Sequence, residues 1–248
     1  MNNLDQQKQI VDTIRQCQRN WDLSKDIPQE HLDHLIYIAT HSPSKQDESY
    51  YNLHVITNKE LIQELLNHTF AFSVPVVPNQ FVINLRNTQM GANAYFLWTR
   101  KDPPTQREIT LDGVAYATNV NRRKENAYAM IGISMGLVSY SAGSLGYKTG
   151  FNTNHGQAEG IAVWKSKLGI PANEDITFGL GIGFPQDGRE RNETDEVEFK
   201  TGTEHELTNT YNITETKSLE FNGKQYPVPP LVYRTFSERL KDIKVFFH

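Results

Sequence analysis

The stretch NAYAMIGISMGLVSYSAGSLGY, Asn126 to Tyr147, decides how the rest of the chain is read. No Asp, Glu, Lys, Arg or His interrupts it, although Arg122, Arg123, Lys124 and Glu125 precede it and Lys148 follows. It is too long for a buried strand. Its apolar residues fall on every side of a helical wheel, which predicts a helix buried all round. Gly132, Gly136, Ser139, Gly143 and Gly146 recur at steps of three or four and form a stripe of small residues. A glycine inside a helix costs about 1 kcal/mol relative to alanine, so a row of them predicts close backbone approach by another element. A membrane span is the first rival, but the stretch is rich in serine and tyrosine and poor in Leu and Phe.

Upstream of this helix, Leu4 to Gln18 carries Leu4, Ile10, Val11 and Ile14 at helical spacing and predicts an amphipathic helix ending near Trp21. Pro28-Gln-Glu30 opens a second helix with Leu32, Leu35, Ile36 and Ile38 inward, stopping at Ser42-Pro43. A polar loop follows, Ser44 to Ser49, and then a half-buried strand through Tyr51, Leu53 and Val55. A short helix is expected over Lys59 to Leu66, and an edge strand over Val74 to Leu85, with Pro75 and Pro78 at its start. Between Arg86 and Glu125 the pattern weakens. This is read as a lid or substrate-facing insertion, or as a peripheral helical excursion with no role.

Downstream, Gly156 to Leu168 predicts a helix closed by Gly169-Ile-Pro171, and Asp175 to Phe184 an apolar strand. Asn222-Gly223 between Ser218–Phe221 and Lys224–Tyr226 is a two-residue hairpin signal. Val232 to Phe247 is amphipathic, with Phe236, Leu240, Ile243 and Phe247 on one face. Without repeats or a clear linker, 1–200 reads as one domain and 201–248 as a C-terminal extension.

With 248 residues and a net charge of −4, the chain can bury a sizeable core and has no global pull toward nucleic acid or anionic membrane. Its single cysteine, Cys17, excludes an internal disulfide. Met1 to Gln9 lacks an apolar signal region, so the expected location is the cytoplasm.

Several patterns suggest chemistry. Gly132-Ile-Ser134-Met-Gly136 matches the nucleophile elbow of serine hydrolases, but that motif needs a strand before the serine, and here one helical run covers both sides. Ser134 is read as a packed helix serine, with a hydrolase as the remote alternative. Gly179-Leu-Gly181-Ile-Gly183 has the wrong spacing for a dinucleotide loop. It reads as a strand whose glycines admit a close neighbour. His31 and His34 have no partners to complete a metal site and read as a solvated pair. The basic residues say more. Arg15 and Arg19 fall on one helix face with Cys17 between them, and Arg189 and Arg191 flank Glu190 after the glycine strand. Guanidinium forks suit bidentate phosphate binding, and the spacing permits these arginines to converge on one phosphate; solvated surface arginines are the alternative.

Taken in order, these features resemble the FMN-dependent nitroreductase family. Arg15-Gln-Cys17-Gln-Arg19-Asn-Trp21 follows its opening Arg-x-Ser-x-Lys/Arg motif, with Cys17 for Ser. Ser42-Pro43-Ser44-Lys45-Gln46-Asp47-Glu48-Ser49 follows its loop before the first strand. Ala142-Gly-Ser-Leu145-Gly146-Tyr147 follows the end of its long central helix, and Gly183-Phe184-Pro185 with Arg189-Glu-Arg191 its closing turn and basic pair. The resemblance covers roughly Leu4 to Val197.

It implies an α+β, three-layer fold: a central, mixed, mostly antiparallel sheet flanked by helices, with the long buried helix at a homodimer interface. It implies Arg15, Gln16, Cys17, Arg19, Arg189 and Arg191 at the FMN phosphate. Pro43, Ser44, Lys45 and Asp47 would reach the flavin from the partner subunit, and Thr153 and Asn154 would lie near its ring. NADH or NADPH would reduce FMN, and nitroaromatics, quinones or related acceptors would reoxidise it in a ping-pong cycle with no catalytic side chain. No metal, membrane or nucleic acid enters this scheme. The departures are Asp47 for the family's Asn and Ser49-Tyr50 for its Gln-Pro; its mid-chain flavin-binding Asn has no clear counterpart between Asn67 and Ser73. The altered loop leaves a second reading, a flavin-binding or flavin-modifying protein without turnover.

Overall fold

A computed structural model describes residues 3–69, 72–77, 80–85, 87–101, 109–111, 114–116, 120–187, 198–199, 207–208, 217–221 and 224–228. The chain begins with α1 (Asn3–Ile14), α2 (Gln29–Thr40) and a 3₁₀ turn (Lys45–Asp47). Then come β1 (Tyr51–Ile56), α3 (Lys59–Leu66), β2 (Phe72–Val77), β3 (Gln80–Leu85) and a second 3₁₀ turn (Thr88–Met90). β4 (Ala94–Arg100), β5 (Ile109–Leu111) and β6 (Val114–Tyr116) lead to α4 (Val120–Ser144). β7 (Lys148–Asn152), α5 (Ala158–Leu168) and β8 (Asp175–Gly183) follow, and then β9 (Glu198–Phe199), β10 (Leu207–Thr208), β11 (Lys217–Phe221) and β12 (Lys224–Val228).

Among the described residues the central sheet has the order β1-β4-β8-β7, antiparallel throughout. Side chains alternate across it. Phe96, Trp98, Leu180 and Ile182 pack with Leu35 of α2 and Ile131 and Val138 of α4 on one face. Tyr95 and Leu97 pack with Ile62 and Leu65 of α3 and Trp164 of α5 on the other. The expected α+β architecture of sheet between helical layers is therefore present.

β8 explains its own glycines. Its apolar side chains point at α4, and a Cβ on the opposite face would collide with Tyr95 Oη at Gly179, Gln89 O at Gly181 and Asn93 Oδ1 at Gly183. The glycine row is the space that Tyr95 and the chain around Gln89 occupy. Ser134 is equally clear. It lies fully buried inside α4, accepts from Trp98 Nε1 at 3.0 Å and donates to Ala39 O at 2.8 Å, pinning β4, α4 and α2 together. No strand precedes it, so there is no nucleophile elbow.

Several expectations are corrected. α4 is not buried all round within one chain. Ile133 is 40 % and Leu137 42 % exposed, and a Cβ at Gly132 or Gly136 would meet nothing within 4 Å. Only Gly143 has its close neighbour, because α1 crosses there and a Cβ would lie 2.6 Å from Ile14 Cγ2. Val74 to Leu85 is not one edge strand but part of a hairpin, with β2 and β3 pairing each other and the register shifting around Pro75, which has no N–H to give. The segment from Arg86 is not wholly peripheral. It contains β4, the buried second strand of the sheet, whose burial on both faces erases the alternation that marks a strand. His31 and His34 are not merely solvated. His31 Nδ1 meets Tyr147 Oη at 2.6 Å and His34 Nε2 meets Ser141 Oγ at 3.0 Å, linking α2 to the end of α4 and the turn after it.

β11 and β12 pair with Phe221 opposite Lys224, the hairpin the Asn-Gly signal predicts. Val232 to Phe247 lies outside the described residues. Among those described, no helix is long and apolar enough to cross a membrane, and no cluster of His, Cys, Asp and Glu suits a metal ion.

Candidate functional site

The first basic segment leaves the helix early. α1 stops at Ile14, with the Arg15 N–H closing the last turn on Val11 O at 2.9 Å. Gln18 N–H then donates to Thr149 O of β7 at 2.8 Å, and Trp21 bridges to Pro185. Asp22 N–H reaches Phe184 O at 2.9 Å, and Gln186 N–H reaches Asn20 O at 3.1 Å. Arg15 and Arg19 therefore do not share a helix face; pairing with the sheet overrides helix propensity here. Gly150 makes the pairing possible, since a Cβ there would press within 2.8 Å of both Gln18 O and Gln89 O. Gln18 is fully buried and fixes the turn by donating Nε2 to Asn20 O at 2.6 Å, while Trp21 Nε1 donates to Thr88 O at 3.0 Å. Residues 184–186 thus run beside 20–22. Arg189 and Arg191, expected to join Arg15, Gln16, Cys17 and Arg19, lie outside the described residues.

The Pro43 to Ser49 loop sits elsewhere. Lys45 N–H contacts Met130 Sδ at 3.0 Å, and Lys45 Nζ donates to Asn126 Oδ1 at 3.5 Å, so the loop is fastened to the N-terminal half of α4. Ser44 Oγ donates to Glu48 O across it. Asp47 has φ 58, a left-handed conformation that Asp and Asn tolerate far better than most residues. A cleft of about 430 Å³ lies between this loop, α2 and β1, lined by Thr40, Ser44, Asp47, Tyr51 and Lys101 among others. Arg15 to Trp21 lies by β7, which follows the other end of α4. From Met130 to Ser144 the helix advances about 21 Å. One chain does not bring the two sets of predicted residues together.

The loop after β7 is built on Asn152, which is 1 % exposed. Its Oδ1 accepts from the Asn154 N–H at 2.9 Å and from Asn87 Nδ2, and its Nδ2 donates to Tyr95 Oη at 3.0 Å. Tyr95 Oη in turn lies 2.8 Å from His155 Nε2. Asn154 Oδ1 accepts from the Gly156 N–H at 3.0 Å. The backbone N–H of Asn154 can only donate, so it fixes which atom of Asn152 is oxygen and orients the bonds of Asn152 to Asn87 and Tyr95. Burial holds His155 neutral, with its pKa near 3, and keeps the Tyr95 hydroxyl protonated well above its ordinary range. With Tyr95 Oη already accepting from Asn152 Nδ2, the tautomer assigned to neutral His155 is the one whose Nε2 accepts the tyrosine proton. Thr153 and Asn154 are placed together, but the Asn154 N–H is turned inward rather than outward. Asn87 was missed by sequence reasoning. Among the described residues its Oδ1 and the nearby Thr88 Oγ1 are buried without a partner, and nothing in the run Asn87-Thr-Gln signals this.

A sequence model of the Nitroreductase family matches residues 13–184. The chain belongs to the nitroreductase family. The matched span contains Arg15 to Arg19, the Pro43 to Asp47 loop, α4 and Asn154, and ends at Phe184. No curated protein matches the chain. Among solved structures it is similar to nitroreductase A from Vibrio parahaemolyticus, with 18 % identity, 77 % of this chain and 71 % of that one covered, and a TM-score of 0.53. NfrA2 from B. megaterium gives 17 % identity, coverage of 80 % and 72 %, and a TM-score of 0.53. An FMN-dependent nitroreductase from Clostridium difficile gives 11 %, coverage of 74 % and 90 %, and 0.52. At these identities the likeness shows the fold shared by the family.

Proposed function

We propose that this protein binds FMN and passes electrons from NADH or NADPH to nitroaromatics, quinones or related small acceptors in the cytoplasm. The observation that carries the reading is the pairing of residues 18–22 with Thr149 and 184–186 in a nitroreductase-family chain. It fastens the Arg15–Arg19 segment to the sheet beside the strand that leads to Arg189 and Arg191. The donor set fits FMN. Arginines suit the phosphate, Gln16 and Cys17 add weaker donors, and Asn87 Oδ1 and Thr88 Oγ1 are buried hydrogen-bonding atoms with none of their own chain to satisfy them among the described residues. Held by Arg15, Gln16, Cys17 and Arg19, FMN would supply the redox chemistry between the nicotinamide and the second substrate in a ping-pong cycle. The side chains bind, orient and exclude water, and none is required as a nucleophile or general acid.

A homodimer is part of this reading. The open face of α4, with Ile133, Leu137 and the bare Gly132 and Gly136, suits a second copy packed closely against it. An antiparallel pairing of the two α4 helices would carry each Pro43–Asp47 loop across the roughly 21 Å of helix that separates it from Arg15 and Arg19. The same reading gives the part of 86–125 between β4 and α4 the role of a lid, and in the C-terminal extension β12 lies against β2 of its own chain.

The test is an absorbance spectrum of the purified protein, with FMN titration and stopped-flow mixing with each nucleotide. A yellow protein whose flavin is bleached by NADH or NADPH is expected. No chromophore and no FMN uptake would overturn the proposal, and a flavin that neither nucleotide bleaches would leave a binding protein without turnover.

A further inference from the structure

The loop from Asn152 to Gly156 is held by side chains that face away from solvent. Asn87, Tyr95, Asn152 and His155 come from the stretch before the second 3₁₀ turn, β4, the end of β7 and the loop itself, and each is buried. Their bonds form a line: Asn87 Nδ2 donates to Asn152 Oδ1, Asn152 Nδ2 donates to Tyr95 Oη, and Tyr95 Oη meets His155 Nε2. Two loop N–H groups, those of Asn154 and Gly156, are taken up by the side chains of Asn152 and Asn154. From the other side, the His68 carbonyl fills the space that a Cβ at Gly156 would need, at a φ of +103°. The loop is therefore clamped between a polar line beneath and a carbonyl above. The Tyr95 ring itself occupies the space that a Cβ at Gly179 would need.

We propose that Tyr95 and His155 are positioning residues which, acting through Asn152, hold the Thr153–Asn154 backbone in place for the flavin ring. This rests on the FMN reading above. Neither residue touches the ligand. Tyr95 Oη accepts from Asn152 Nδ2 and holds that amide, whose oxygen receives the Asn154 N–H and the Asn87 side chain. His155 stays neutral throughout the neutral range because it is buried, so its ring always keeps one nitrogen able to accept. The rings of Tyr95 of β4 and Trp164 of α5 face it, and its shift comes from burial.

The experiment uses the full chain and FMN, with three variants: Tyr95→Phe, His155→Leu and His155→Gln. Phenylalanine keeps the ring over Gly179 and removes only the hydroxyl. Glutamine can present an oxygen where Nε2 stood. FMN affinity is read by quenching of flavin fluorescence, the ring's surroundings by the bound-flavin visible spectrum, and the loop by amide exchange at Asn154 and Gly156. Losing two buried hydrogen bonds in Tyr95→Phe and one in His155→Leu should weaken FMN about three- to tenfold, shift the bound spectrum, and speed exchange at both amides. His155→Gln should return affinity to within about twofold of wild type. Wild-type affinity and spectrum in folded Tyr95→Phe and His155→Leu would overturn the proposal, as would lowered thermal stability with unchanged FMN binding. If Tyr95→Phe does not fold, the Leu and Gln pair at His155 decides the proposal by the same two outcomes. A wild-type protein that takes up no FMN refutes the functional reading itself, which separates that failure from this one.

Discussion

Lowering the pH from 7 to 5 should destabilise this protein by about 2 kcal/mol through His155 alone. The side chain is 3 % exposed, and burial lowers its pKa to about 3. In the unfolded chain it titrates near 6.5. Between those values the unfolded state binds a proton that the folded state does not, so stability falls as pH falls. The stability is fully present above pH ~6.5 and is lost at about 1.4 kcal/mol per pH unit until pH approaches 3. Integration from pH 7 to pH 5 gives the figure above. Urea unfolding at pH 7, 6 and 5, of wild type and of His155→Gln, measures it directly. The wild type should lose about 2 kcal/mol more than the variant over that range. His54, lowered in the same direction by its own burial, is common to both proteins and cancels. Equal slopes in the two proteins would refute the account, because the neutral buried imidazole would then not be the source.

Four further outcomes are expected. Gly136→Leu should weaken dimerisation and FMN binding together, as measured by sedimentation and flavin titration; a dimeric, fully yellow variant would show the small stripe serves something else. Arg19→Ala should weaken FMN about ten- to a hundredfold, the loss expected for a charge-assisted bond, and flatten the salt dependence of binding in fluorescence titrations. Ser134→Ala should cost about 1–3 kcal/mol in chemical denaturation by leaving Trp98 Nε1 unpaired, with no change in any esterase activity. Gly179→Ala should cost about 3 kcal/mol or more by thermal melting, since its methyl group collides with Tyr95 Oη.

The sequence made legible those features whose cause is local. α4 is marked by its uncharged length, β8 by an apolar run whose glycines needed a neighbour, and the β11–β12 hairpin by Asn222-Gly223. Ser134 could be dismissed as a nucleophile because the helical run was visible on both sides. What stayed hidden depended on distant contacts. Nothing in Thr13 to Trp21 indicates that the helix ends at Ile14, because the cause is an edge of β7 more than a hundred residues away. β4 escaped because a central strand buried on both faces has no alternation. The open face of α4 was misread for the converse reason, since apolar residues all round a helix do not say which neighbour covers each side. For the candidate site, motif order alone proposes Arg15, Arg19 and the Pro43–Asp47 loop, whereas Asn87 and the Tyr95–His155 line emerge only when four separate stretches are folded together.

The glycine row on β8 also limits how this sheet can change over evolutionary time. Position 179 and position 95 share one volume, divided as nothing and a tyrosine. Drift at 179 is blocked while Tyr95 stands, but a smaller residue at 95 would free 179 to grow. Across family members the two positions should therefore exchange bulk, one large only where the other is small. A chain that kept Tyr at 95 beside a bulky 179 would have had to move a strand to do it.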